Sequence, residues 1–227
     1  MDPHRKLWND NHQKLNRALT HEDRDTAIPL FLDPHAMVHA GKVSKSVLWS
    51  FEDELLDDMT EAEIRQIPPG GEHSIAWILF HLARIEDITM NMLVAGTPQL
   101  FTRDGWAEKM NASVLHSANN MDVPSVAVLS REIDLECLRA YRAAVVRRTR
   151  QIVQRLQPQD FKQNVDPSRI ATVLNEGAIT PEAMEIASYW GKKTIAGLLL
   201  MPPTRHCLLH LNEAMRIQKK VRKNGGG

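Results

Sequence analysis

The chain is short of most features that would assign it a class at once. Its two cysteines, Cys137 and Cys207 among 227 residues, cannot build a disulfide framework, and a reducing, cytoplasmic setting follows as the simplest expectation. Neither charge is in excess: 28 Lys+Arg stand against 28 Asp+Glu, which argues against a dedicated nucleic-acid binder. No run of about 18 apolar residues exists to span a membrane. The opening Met1-Asp2-Pro3-His4-Arg5-Lys6 lacks the apolar centre of a signal peptide. Alternating strand-like runs are scarce, and no internal repeat appears. Phe and Tyr are few, five and two, whereas histidine is plentiful at 10. That surplus of imidazole raises the question of a metal.

What is present is helical periodicity. Residues 5–20 predict a first helix, with Leu7, Trp8, Leu15 and Leu19 as its apolar side. Asp33-Pro34 reads as the start of a long helix over 34–58, since Asp caps free N–H groups and Pro fits a first turn. The spacing predicts further helices over 73–95, 125–156, 181–200 and 204–223. Pro68-Pro69-Gly70-Gly71 separates the first two of the long helices. A 29-residue link over 96–124, containing Trp106, is long enough to cross a bundle end to end. The expectation is an all-α protein. It has a helical extension at 1–30, one four-helix bundle domain over 31–223 with additional short helices, and a frayed tail at 224–227.

The histidines gain meaning when placed on helix faces. His81 falls in the apolar stripe of the 73–95 helix with Ile78, Ile85, Ile88 and Met92. His206 and His210 are one turn apart on a face shared with Ala214, Ile217 and Val221. Two helices thus aim three imidazoles at the interior. A bare imidazole there is costly unless something satisfies it, and three neutral His ligands with an open position match catalytic zinc sites. Glu213, three residues past His210, reads as a fourth ligand, an orienting partner, a general base or the edge of a salt bridge. A carboxylate di-iron bundle is excluded because no His has Glu three residues before it. The zincin pattern fails as well, because Leu211 follows His210.

Other residues read as bystanders. His35 and His39 share the same spacing but fall roughly 110–150° from the apolar stripe of a 34–58 helix at about 100° per residue. They are expected to face solvent or a neighbouring segment. Glu86 and Asp87 point off the His81 face and read as solvated. Cys207 reads as a small packed residue, and Arg142 as a snorkelling side chain.

The stretch Ser74-Ile75-Ala76-Trp77-Ile78-Leu79-Phe80-His81-Leu82-Ala83-Arg84-Ile85-Glu86-Asp87 and the stretch His206-Cys207-Leu208-Leu209-His210-Leu211-Asn212-Glu213 resemble two motifs of the DinB/YfiT-like superfamily. The resemblance implies an up-down-down-up four-helix bundle, often dimeric. It also implies a divalent metal held by His81, His206 and His210, commonly zinc or nickel, with iron or manganese as further candidates. Characterised members include S-transferases for low-molecular-weight thiols, a thiol-dependent isomerase and hydrolase-like proteins. Leu211 and Asn212 stand where relatives often carry a second His or a Gly. The expected protein is therefore a cytoplasmic homodimer acting on a small molecule, with neither nucleic acid nor membrane as partner. Glu213 is its candidate catalytic residue. The alternative is a non-catalytic bundle, metal-binding or metal-free, that works as a stress-response or interaction protein.

Overall fold

The computed structural model describes residues 2–225. Among these the chain is helical, and the sole β feature is an isolated bridge between Asn164 and Thr194. In order the α-helices are α1 (Pro3–Thr20), α2 (Arg24–Met37), α3 (Gly41–Ser44), α4 (Phe51–Leu56), α5 (Glu61–Arg65), α6 (Ile75–Asp87), α7 (Leu100–Arg103), α8 (Trp106–Lys109), α9 (Val123–Glu132), α10 (Leu135–Arg155), α11 (Pro167–Asn175), α12 (Met184–Gly191), α13 (Ile195–Leu199) and α14 (Cys207–Gly225). Wider π-helical turns extend α6 over Ile88–Ala95 and precede α14 over Met201–His206. The last helix reaches Gly225, inside the expected tail. Residues 226–227 lie outside the described residues.

Short polar side chains start these helices. Asp23 accepts from Thr26 N–H, Ser74 from Trp77 N–H, and Asp134 from Cys137 N–H. Each satisfies a backbone donor that the first turn leaves free. The cap at Asp134 also explains why the helix expected over 125–156 is two helices. The chain turns at Ile133-Asp134 and starts again.

The long helix expected over 34–58 does not form. Asp23 caps the helix instead, and Pro29 and Pro34 both lie inside α2. Proline removes one i→i−4 hydrogen bond but does not stop a helix held by tertiary contacts. Here Trp8 Nε1–H donates to the Pro34 carbonyl at 2.9 Å. The chain then breaks at Val38, ends α3 on a left-handed Lys45, and restarts at the Ser50 cap. Pro202-Pro203 likewise does not close a helix. It sits in the π turn leading into α14, where Thr204 Oγ1–H donates to the Leu199 carbonyl at 2.9 Å. The helix expected over 181–200 divides into α12 and α13.

Helix α6 is the centre of the molecule. It packs on α10 along one side and on α14 along another, and every residue from Ser74 to Val94 is buried. A helix surrounded in this way has no solvated face. Glu86 and Asp87, expected in solvent, are therefore buried, and each needs partners. Asp87 Oδ1 accepts from Leu100 N–H and Asn91 Nδ2–H, and Oδ2 accepts from Phe101 N–H and Tyr141 O–H, all at 2.7–2.9 Å. Arg84 lies over the Phe101 ring, its centroid 3.7 Å away, and donates to Tyr141 Oη and to the Leu115 carbonyl. This network ties the loop around residue 115 to α6, three residues beyond His81.

Candidate metal centre

Three imidazoles converge where α6 meets the start of α14. Each of His81, His206 and His210 offers one ring nitrogen within 4.8 Å of the others, a group able to hold a metal ion. His206 ends the π turn and His210 lies one turn into α14, while Ala214, Ile217 and Val221 continue the same face into the core. His81 is buried, whereas His206 and His210 are partly exposed. The cluster therefore has an inner wall and an open side.

The far nitrogens of two rings are already occupied. His81 Nδ1 is 2.7 Å from the Ser117 carbonyl, which as an acceptor fixes the proton on Nδ1 and leaves Nε2 free. His210 Nδ1 is 2.9 Å from Glu213 Oε2, so its Nε2 is likewise free. His81 Nε2 and His206 Nε2 face each other at 3.3 Å. His206 Nδ1 is buried without a protein partner. Free inward nitrogens backed by carbonyl and carboxylate acceptors are the arrangement that orients imidazole ligands around a metal, so the residues present fit a divalent ion.

Electrostatics agree with that fit. Burial pushes His81 down to about 3, helped by the neighbouring His210, and holds His206 well below its ordinary value, helped by His81 and His210. Both rings are neutral at pH 7, the form in which an imidazole is a ligand. Glu213 accepts hydrogen bonds from His210 and His73, which hold it below the ordinary carboxylate range. A carboxylate stabilised in this way is a weak base. Its contacts make it an orienting partner of His210.

Sequence reasoning missed two contributors to this centre. His73 Nδ1 lies 2.8 Å from Glu213 Oε1, and its ring stacks on Trp77 at 3.7 Å. Trp77 in turn stacks on His81 at 4.8 Å. Trp77 and His81 are one turn apart on α6, so their stacking follows from helical spacing, whereas His73 precedes the Ser74 cap and is placed by the chain's entry into the helix. Trp106, in the link between the helices, packs against Tyr141, 5.7 Å away, and beneath Lys109.

Three further expectations need correction or placement. Arg142 does not snorkel: it is 3% exposed and pairs with buried Glu52. Cys207 is a fully buried, packed thiol. His35 and His39 are buried at 0% and 1% exposure, so the solvent-facing alternative is wrong. The error came from the helix boundary. In the true α2 the inward stripe is Ile28, Phe31 and His35, and Phe31 stacks on His35 at 5.1 Å.

Among the described residues, then, a helical fold brings three histidines together between two core helices in a group that could hold a metal ion. Residues 52–213 match the DinB superfamily, and the chain belongs to that superfamily. No curated protein shows significant similarity to it. A crystal structure of a conserved protein from Enterococcus faecalis is similar in fold, with a TM-score of 0.60 at 18% identity, covering 86% of this chain and 96% of that one. No described helix is long and apolar enough to cross a membrane.

Proposed function

We propose that the protein is a divalent-metal-dependent enzyme in which His81, His206 and His210 hold the ion, zinc or nickel in the first instance. The reaction is transfer of a small thiol to an electrophile, or a hydrolysis that uses the same arrangement. The observation that carries the reading is the convergence of three imidazoles within 4.8 Å, two of them backed by acceptors on their far side. A bound ion of this kind supplies Lewis acidity that makes a thiol or water nucleophilic near pH 7.

The chain's own residues do the rest. Ser117 and Glu213 hold the tautomers of His81 and His210, and the Trp77 ring closes one side of the site against His81. Water is kept from the inner side by the packing of α6. A cleft of about 310 Å³ adjoins the site at His73 and Glu213 and is also lined by Glu72, Arg216 and Lys220. The reading includes a homodimer in a reducing, cytoplasmic setting.

The test is a thiol-transfer screen on zinc- and nickel-loaded protein, with several low-molecular-weight thiols and a panel of electrophiles. Turnover is expected with at least one thiol, or with water alone, and is expected to vanish in His210→Ala. Stoichiometric metal with no turnover across the panel would favour a non-catalytic bundle.

A further inference from the structure

A second cluster of metal-ligating side chains lies on the other side of α6. His35 Nε2 is 2.9 Å from Glu86 Oε1, and His39 Nε2 is 3.1 Å from Glu86 Oε2. The two rings are 4.5 Å apart and inclined at 55°. All three residues are at most 1% exposed. One ligand atom from each lies within 4.8 Å of the other two.

Hydrogen bonding alone leaves this cluster incomplete. His35 Nδ1 has no partner, and His39 Nε2, despite its 3.1 Å approach to Glu86, makes no aligned hydrogen bond. Charge is unbalanced too. Glu52 is matched by Arg142, whereas Glu86 meets two imidazoles and no Lys or Arg among the described ion pairs. A buried carboxylate in that position needs a positive partner.

We infer that His35, His39 and Glu86 form a second binding site for a divalent transition-metal ion, separate from the three-histidine centre. Two imidazoles and one carboxylate are a recurrent donor set for zinc. His39 Nδ1, on the far side of its ring, lies 3.4 Å from the Arg142 guanidinium, a donor, and 4.0 Å from Glu52. A cleft of about 220 Å³ reaches His39 and is lined by charges of both signs, Glu52, Asp53 and Asp57 against Lys42, Arg139 and Arg142. Burial of the cluster makes its role structural: the ion would clamp the end of α2 and the residues just after it to the last turn of α6. His81 and Glu86, five residues apart on α6, give the two sites a separation of about 7.5 Å along the helix axis.

The test uses the full chain without a polyhistidine tag. Protein is stripped with chelator, loaded with zinc and desalted, and zinc per chain is measured by mass spectrometry. Wild type is expected to hold two equivalents. Glu86→Gln is expected to hold one, with its lost site weakened at least 100-fold, and the double variant His206→Ala/His210→Ala is expected to hold the other. In wild type, cobalt(II) should give two successive and different visible spectra, a measurement that does not depend on any variant folding. One equivalent that survives Glu86→Gln and is lost in the double variant overturns the second site and leaves the proposed function intact. One equivalent with the opposite pattern supports the second site and removes the basis of the proposed function. Two equivalents that both survive Glu86→Gln, or none in wild type, overturn the inference.

Discussion

Removing Glu213 tests how the candidate metal centre is built without touching any of its three imidazoles. Its carboxylate bridges His210 Nδ1 at 2.9 Å and His73 Nδ1 at 2.8 Å. Loss of a carboxylate that orients a metal-ligating histidine costs about 10–100-fold in metal affinity, or about 1.4–2.8 kcal/mol. Glu213 is 28% exposed, so water screens part of its charge and the lower end, about tenfold, is expected. His73→Ala removes only the outer member of the chain and leaves Glu213 on His210, so its effect should be about threefold or less. Because both act through one carboxylate, the double variant should lose no more than Glu213→Ala alone. The assay is competition for zinc with a chromophoric chelator on tag-free protein at pH 7.5. If Glu213→Ala bound zinc as tightly as wild type while His210→Ala did not, Glu213 would orient nothing and the reasoning would fail.

Other outcomes follow from the same contacts. Asp87→Ala strips four hydrogen bonds from the core and leaves the Arg84 guanidinium without its carboxylate. It should destabilise the fold by about 3–5 kcal/mol in urea unfolding, and a loss under about 1 kcal/mol would contradict the network. Burial pushes His35 down to about 4 and His81 down to about 3. Both lie below the unfolded value, so the unfolded chain binds more protons as pH falls below about 6.5, and their stabilisation of the metal-free protein is lost in that direction. Relative to pH 7, the loss should be about 1 kcal/mol for each at pH 5.5 and about 3 kcal/mol for each at pH 4. Urea midpoints of stripped protein that rise on acidification would refute this. Trp77→Ala should cost about 3–5 kcal/mol by leaving a cavity, and should also weaken zinc binding because His81 and His73 both stack on that ring; an unchanged zinc affinity would show that the stack plays no part in the site.

The parts of the structure that were legible beforehand are those set by helical period. His81 stands in an unbroken apolar helix, and His206 and His210 share a face with Ala214, Ile217 and Val221. Spacing alone therefore places all three in one core. The superfamily was legible for the same reason, since its two motifs are helix faces. What was lost depended on contacts between segments distant in sequence. The backing of His81 comes from a loop carbonyl at Ser117, for which no side-chain pattern exists. Reading Asp33-Pro34 as a start, when Pro29 and Pro34 are both held inside α2, put His35 and His39 on the wrong face and hid their meeting with Glu86. Glu86 and Asp87 look solvated on a helical wheel. They are buried because α6 is enclosed from every direction, and that comes from the fold and not from the helix's own sequence.

The account rests on an ion held by the three histidines, and an anomalous-difference map at the zinc edge, from crystals of tag-free, zinc-loaded protein, tests it most directly. The prediction is a peak about 2.0–2.1 Å from Nε2 of each of His81, His206 and His210. A map with zinc present in the crystal and no peak between those three rings would contradict it.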